Sequence, residues 1–556
     1  MRVLFVYPNL NTQMGFNHGL AMISAFLKRA GHETRLVNLN ENLPPVPTRE
    51  EILRDILAWK PGVIAASCLS QQYGESLELV RWLRERLEAM KATVPAFVVG
   101  GVHPTMVPEA VMGDGAWDFV AVGECEEALL ELVRRIEAGE DTRTAPNMLT
   151  WNAERPRDVA TCNSSSWTRN PVAPFPGVEG MPLADYELFD TQRILDAKDG
   201  WAGLLTSRGC PYRCTYCLNH EVIDTYRRDQ GVPASKLGFF RFRDPEDVLN
   251  EMRFVLSRYE RVRTFIMDDD LFTQNVEHAV AFCAAYRDSE INVPFVVNAH
   301  VKQLDERVAV ALKEAGCTIL KMGIESGSPR VRKEVLMRPM SDRDIEETVR
   351  LAESAGLHSS GFVMVGLPGE THAERLETVD LLARLDIGRF RTSLFYPFPG
   401  TKAFDLSVDG GYIDPAKIPS LTDFTESSCL DFGADENLFI EKLATCMPWF
   451  VNARLASSRG LSDEAFPAAR RYQPLVDEVM SLSAAEWRRF RGRVRELDAS
   501  AARAAIEAGE VHYAIKFNAF MGVRDDYYQA DEKLYAADQP IKLDEWTTAA
   551  AKPVGT

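Results

Sequence analysis

Ser207-Arg-Gly-Cys210-Pro-Tyr-Arg-Cys214-Thr-Tyr-Cys217 puts three cysteines on one short loop with the spacing C-x3-C-x2-C. Iron–sulfur cubes are normally held by four protein thiolates. A loop that supplies three leaves one iron open to a non-protein ligand. The same residues admit a second reading, a tetrahedral Cys3His zinc site completed by His220. A short zinc knuckle usually draws on two separated pairs, and no second pair lies nearby. Three unrelated core cysteines are the remaining alternative.

Outward from this loop the chain alternates apolar runs with helical stretches. Downstream, strands are expected at 202–207, 263–267, 294–298, 318–324, 359–365 and 390–395, six βα units and too few for a closed eightfold barrel. In such folds chemistry collects at the carboxyl ends of the strands. Upstream, Arg2–Tyr7, Glu33–Val37, Val63–Ala66, Ala96–Val99 and Phe119–Val122 read as strands, with helices near 18–30, 50–59, 74–91 and 125–138. That alternation predicts a doubly wound, flavodoxin- or Rossmann-like parallel sheet. Residues 141–197 are rich in Pro, Asn, Ser and Thr and read as a linker or strap. Beyond 405 the pattern turns mostly helical, near 437–456, 464–482 and 484–508. The expected division is therefore 1–140, 141–197, 198–405 and 406–556, all within an α/β class.

Bulk properties narrow the function. A chain of 556 residues suggests about two to four domains. A net charge of −18 without a basic run argues against nucleic acid as a partner, because phosphate binding needs a basic face. Ten cysteines, clustered only in the quoted loop, argue against a disulfide scaffold and fit a reducing cytosol. The start Met-Arg-Val-Leu-Phe-Val-Tyr-Pro has no signal-peptide pattern, and no apolar run reaches membrane-spanning length. The expectation is a cytoplasmic protein acting on a small molecule or peptide.

Each expected barrel strand ends in something more pointed than core packing. The second ends Phe-Ile-Met-Asp-Asp-Asp-Leu-Phe-Thr (265–273), where three adjacent carboxylates repel one another unless they bind cations or donors; a surface turn is the plain alternative. The third ends Val-Val-Asn-Ala-His (296–300), with Asn298 or His300 aimed at a site or capping a helix. The fourth runs into Gly-Ile-Glu-Ser-Gly-Ser (323–328), the fifth into Val-Met-Val-Gly-Leu-Pro-Gly-Glu-Thr (363–371), the sixth into Phe-Tyr-Pro-Phe-Pro-Gly-Thr (395–401). Gly-Leu-Pro-Gly is by composition a tight turn. No side chain stands out as a catalytic acid or base.

The cysteine loop, in its Gly-Cys-Pro-Tyr-Arg-Cys-x-Tyr-Cys setting, resembles the signature of the radical SAM superfamily, and the six βα units resemble its partial barrel. Asp269, Asp270, Phe272 and Thr273 match an Asp-Asp-x-Phe-Thr element of its cobalamin-dependent members. The resemblance implies that Cys210, Cys214 and Cys217 hold a [4Fe–4S] cluster. It implies that Tyr216, Asp269, Asn298, Glu325, Ser326, Met364 and Val365 bind S-adenosylmethionine (SAM). Glu325 pairs the ammonium of the amino acid moiety, and Tyr216, Met364 and Val365 border the adenine. The strand ends Ala-Ser-Cys-Leu-Ser (66–70), Val-Val-Gly-Gly-Val-His-Pro-Thr (98–105) and Val-Gly-Glu-Cys-Glu (122–126) look like a cobalamin-binding domain. Phosphate or flavin binding is the competing reading. Asn9, Gln13, Ser67, Cys68, Leu69, Ser70, Gly100, Gly101, His103, Gly123 and Glu124 are then the cobalamin-binding candidates. The D-x-H-x-x-G element that supplies a histidine to cobalt elsewhere is absent, and His18 stands outside that setting. A base-off cobalamin without a histidine axial ligand is therefore expected, with the Ser67–Gln72 loop at its lower face. Across about residues 1–405 the resemblance implies a cobalamin-dependent C-methyltransferase. One SAM methylates cob(I)alamin, and a second yields a 5′-deoxyadenosyl radical that takes hydrogen from an unactivated carbon. An electron donor such as flavodoxin or ferredoxin is implied. A cyclase or rearrangement enzyme with the same cofactors, or a corrinoid-binding electron-transfer protein, are the alternatives.

Overall fold

The computed structural model describes residues 1–10, 15–156, 163–413, 428–462, 464, 466–516 and 521–526. The chain divides into two compact units. The first comprises Met1–Asp270 with Phe398–Asp405, and the second Leu271–Pro397 with the helical region after Leu406. The segment 198–405, expected as one barrel domain, contributes to both.

The first unit opens with β1 (Arg2–Tyr7), β2 (Glu33–Asn38), β3 (Val63–Ser67), β4 (Ala96–Gly100) and β5 (Phe119–Ala121), each followed by helix. They are parallel in the order β2-β1-β3-β4-β5. Their apolar runs are continuous because both faces are covered: Val3, Phe5, Val63, Ile64, Phe97 and Val99 are fully buried. The order reverses between β1 and β3, and ligands bind at the carboxyl ends of strands at such a switch point. Two further strands, β6 (Met148–Trp151) and β7 (Trp167–Arg169), extend the sheet antiparallel. They lie in the segment read from sequence as a linker, where Pro, Asn, Ser and Thr mask two short strands anchored by tryptophan. Trp151 donates its indole N–H to the Trp117 carbonyl at 2.8 Å.

Later in this unit, β8 (Trp201–Leu204) pairs in parallel with β11 (Thr264–Met267). Between them β9 (Ser207–Arg208) and β10 (Arg241–Phe242) form a short antiparallel ribbon. The helix Leu218–Gln230 packs Val222, Ile223 and Tyr226 into the core built on β1, β3 and β4. Each large apolar side chain so buried contributes about 1.5–3 kcal/mol.

In the second unit β12 (Phe295–Ala299), β13 (Cys317–Glu325), β14 (His358–Val365) and β15 (Arg389–Leu394) are parallel neighbours. They are joined by helices such as Asp342–Ser354 and His372–Arg384, both opened by capping boxes. Beyond them come helices Ala434–Ala453, Ala468–Ser481, Ala484–Phe490 and Val494–Glu507. This region is not wholly helical: β16 (Tyr513–Lys516) and β17 (Met521–Arg524) pair with each other, and β17 runs antiparallel to β15. Trp449, Phe450 and Trp487 are core residues here, all buried. Trp449 donates to Asp498 at 2.8 Å. Among the described residues no helix is long and apolar enough to cross a membrane.

Candidate functional site: a three-cysteine loop and a corrin cradle

The cysteine loop lies between the ribbon strand β9 and the helix Leu218–Gln230, with Cys217 at the helix N-cap. Gly209 enters it at φ 94°, and a Cβ there would lie 2.5 Å from the Phe239 carbonyl oxygen, so only glycine passes. The loop is pinned by Cys217 N–H to Cys214 O at 3.1 Å and Ala403 N–H to Thr215 O at 3.0 Å. Cys214 is buried, while Cys210 and Cys217 are partly exposed. Burial, followed by the charges of Asp270, Cys214 and Cys210, pushes the Cys217 thiol up to about 12. The thiols sense one another, and a bound cation cluster is what holds such a set deprotonated. Among the described residues no three His, Cys, Asp or Glu groups are gathered as one metal ion requires. A cube, with a separate iron for each thiolate, takes a wider set. His220, the fourth ligand of the zinc reading, is buried with Nδ1 3.0 Å from Cys214 O and Nε2 2.6 Å from Glu221. The donor set fits an iron–sulfur cluster.

The three aspartates after β11 separate onto different partners. Asp268 meets His18 Nε2 at 3.1 Å. Asp269 is fully buried and accepts from Thr206 N–H at 3.1 Å, Thr206 Oγ1 at 2.8 Å and Ser207 Oγ. Its carboxyl is raised by burial against the pull of those donors. It clamps the turn that launches the cysteine loop. Asp270, also raised by burial, is hydrogen bonded by Asn219 and by the Gly209 backbone.

In the first unit, the cobalamin candidates sit at carboxyl ends of sheet strands: Asn9 after β1, Ser67–Ser70 at β3, Gly100–His103 at β4, Gly123 and Glu124 after β5. Gln13 lies outside the described residues. Gly101 has φ 95°, and a Cβ on it would come within 2.8 Å of Cys68 N and 2.9 Å of Cys68 O. The two loops are stitched by Cys68 N–H to Gly100 O at 3.1 Å and His103 N–H to Cys68 O at 3.2 Å. His103 Nδ1 lies 3.0 Å from Ser70 Oγ, and burial pushes its imidazole down to about 4. Leu69 N–H donates to Gln72 Oε1 at 3.2 Å. Gln71 Oε1 and Gln72 Nε2 are buried without a hydrogen-bond partner. Small residues that let backbone approach a flat ring, with two orphaned amide atoms beside them, fit a corrin and its amide side chains. Neither glutamine is named singly in the sequence reading, but both belong to the Ser67–Gln72 loop that it places at the lower face of the corrin. Glu124 differs from its neighbours, since both its carboxylate oxygens are engaged by arginines.

In the second unit β13 bulges against β14 between Gly323 and Glu325, and Glu325 takes φ 68°. Such strain in a non-glycine residue clusters at ligand sites. A Cβ on Gly323 would lie 2.2 Å from Glu325 Oε1 and 2.9 Å from Arg338 Nη2, so a carboxylate and a guanidinium both crowd this point. Ser326 is fully buried; its carbonyl accepts from buried Arg332 at 2.8 Å and its Oγ from Ser328 N–H at 3.2 Å. Arg332 and Arg338 were missed because they follow the motif in an ordinary-looking helical stretch. Glu325 is in register with Val363, one residue before Met364, whereas Asn298 pairs with Lys321, four residues before Glu325. Met364 is half-buried and Val365 fully buried, on opposite faces of β14. Tyr216 belongs to the first unit and is half-buried.

Two family models match this chain: the B12 binding domain over residues 13–133 and the radical SAM superfamily over 204–382. An uncharacterized methyltransferase of Pyrococcus horikoshii is 24% identical over 419 residues, 73% of this chain and 83% of the relative. An anaerobic magnesium-protoporphyrin IX monomethyl ester cyclase of Rubrivivax gelatinosus is 22% identical over 401 residues, 69% of this chain and 66% of the relative. The structure of the radical SAM methyltransferase TsrM of Kitasatospora setae, with cobalamin and a [4Fe-4S] cluster bound, shares the fold. Its TM-score is 0.55 at 20% identity, over 73% of this chain and 75% of TsrM. The switch-point sheet and the three-cysteine loop thus define a two-cofactor α/β protein. The chain is a radical SAM protein with an N-terminal B12-binding domain.

Proposed function

We propose that this protein is a methyltransferase that places a methyl group on an unactivated carbon of a small molecule or peptide. The reading is carried by one observation: a loop with three thiolates and a corrin-fitting cradle belong to the same compact unit. The relatives named methyltransferases favour methyl transfer. When bound, cluster and SAM supply a radical able to take hydrogen, and cobalamin supplies a methyl carrier. In this proposal Cys210, Cys214 and Cys217 hold the cluster, and Glu325 receives the SAM ammonium with Ser326 and Arg338 beside it. Tyr216, Asn298, Met364 and Val365 are the remaining SAM-binding residues of the proposal. Asn9, Gln13, Ser67–Ser70, Gly100, Gly101, His103 and Gly123 line the corrin without a histidine to cobalt. An external flavodoxin or ferredoxin delivers the electron.

The cyclase relative favours a second reading, ring closure without methyl transfer. Anaerobic holoprotein given a low-potential reductant, SAM with a trideuterated methyl group and a fractionated metabolite extract separates the two. Methyl transfer predicts S-adenosylhomocysteine together with 5′-deoxyadenosine, and a product three mass units heavier than its protiated counterpart. Deoxyadenosine without S-adenosylhomocysteine or label in any fraction contradicts it.

A further inference from the structure

Four charged side chains within the first unit tie the segment after β5 to the ribbon whose first strand, β9, leads into the cysteine loop. Arg208, two residues before Cys210, and Arg241 are direct cross-strand partners on β9 and β10. Like charges placed opposite each other in a ribbon destabilise it unless an anion lies between them. Glu124 is that anion: Oε2 accepts from Arg208 Nη1 at 2.7 Å and Arg241 Nη1 at 2.9 Å, and Oε1 accepts from Arg241 Nη2. Glu126, almost fully buried, accepts from Arg208 Nη1 at 2.7 Å. Arg241 also donates to Pro176 O at 2.8 Å and lies over the Phe175 ring at 4.9 Å.

The same segment reaches the other side of the cysteine motif. Glu124 N–H donates to Tyr226 Oη at 3.0 Å, on the helix that starts at Leu218. Gly123, at φ 76°, has room only for hydrogen, since a Cβ would lie 2.5 Å from Tyr226 Oη. Phe175 stacks on Tyr226 with centroids 3.6 Å apart. One two-residue turn of the B12-binding domain therefore grips the chain on both sides of the three cysteines.

We infer that Glu124 is a positioning residue for the cluster loop, and that the Glu124–Arg208–Arg241–Glu126 network fixes the three cysteines relative to the corrin cradle and sets the charge around the cluster. Its carboxylate is engaged by two guanidiniums, which gives that side chain to the cluster loop rather than to the corrin. A network of two cations and two anions is neutral as a set, and removing one member leaves a buried charge uncompensated. The inference concerns cofactor placement and holds whether or not methyl is transferred.

Three variants test it in reconstituted, cobalamin-loaded protein: E124Q, R208Q and the double variant. The readouts are the cluster midpoint potential from an EPR-monitored titration, cobalt per chain, and the rate of iron release to a chelator. E124Q leaves excess positive charge, which favours the reduced cluster, so its midpoint rises; R208Q leaves excess negative charge and its midpoint falls. Both retain cobalamin, both release iron several-fold faster than wild type, and the double variant releases it no faster than the faster single. If E124Q does not fold, R208K decides alongside R208Q: R208K keeps the wild-type midpoint while R208Q lowers it. Loss of cobalamin from E124Q with an unmoved midpoint would make Glu124 a corrin ligand and overturn the inference. So would midpoints unchanged in both R208Q and R208K, or iron-release rates in the double variant that multiply those of the singles.

Discussion

A carboxylate at a strand end acquires its role from the donors it meets, and Asp268, Asp269 and Asp270 show three outcomes in three consecutive residues. Asp269 is spent on holding the Thr206–Ser207 turn. Hydrogen bonds to a charged group are worth about 1.5–3 kcal/mol each, and orphaned buried donors add to the loss. Asp269→Ala is therefore expected to lower unfolding stability by about 3 kcal/mol in urea titrations of the apoprotein and to cut iron loading. Asp269→Asn, which keeps one acceptor, loses less. Cys214→Ala is expected to remove the iron–sulfur absorbance and SAM cleavage while leaving cobalamin bound. The cysteine spacing was legible because three thiols within eight residues carry their chemistry in the sequence. The engagement of Glu124 was not, since its arginines lie 84 and 117 residues away.

Elements follow the same logic over a longer range. Five strands of the N-terminal sheet and six of the later βα series were readable, because buried parallel strands are unbroken apolar runs between turn signals. Strands β6, β7, β16 and β17 were not: each is three or four residues long and gains its identity from the neighbour it pairs with. At this scale the β3 and β4 loops stand or fall together. Gly101→Ala would force a Cβ against the Cys68 backbone at positive φ. The expected result is a loss of about 2–3 kcal/mol and of cobalamin binding, read by denaturation and by cobalt content. His103 gives the same loops a pH signature. Burial holds it at about 4 against an ordinary 6.5, so the folded state binds fewer protons than the unfolded. The stability it contributes is fully present above about 6.5 and is lost as pH falls towards about 4, about 2 kcal/mol between about pH 7 and about pH 5. His103→Gln is expected to flatten this part of the acid limb in urea midpoints of the apoprotein.

For the whole molecule, what matters is that one chain carries a B12-binding domain and a radical SAM domain in that order. Neither cofactor alone accounts for both the three-thiolate loop and the small-residue cradle with its orphaned glutamine atoms. The substrate, by contrast, was not legible, because no motif after residue 405 names one and the large aromatic residues Trp449, Phe450 and Trp487 of that region are buried in the core. The direct measurement is iron, cobalt and zinc per chain by elemental analysis of protein made anaerobically with cobalamin supplied. Iron at about four and cobalt at about one per chain, with little zinc, is the predicted result. Iron without cobalt would contradict the cobalamin assignment, and zinc at about one per chain with neither metal would contradict the account of the cysteine loop.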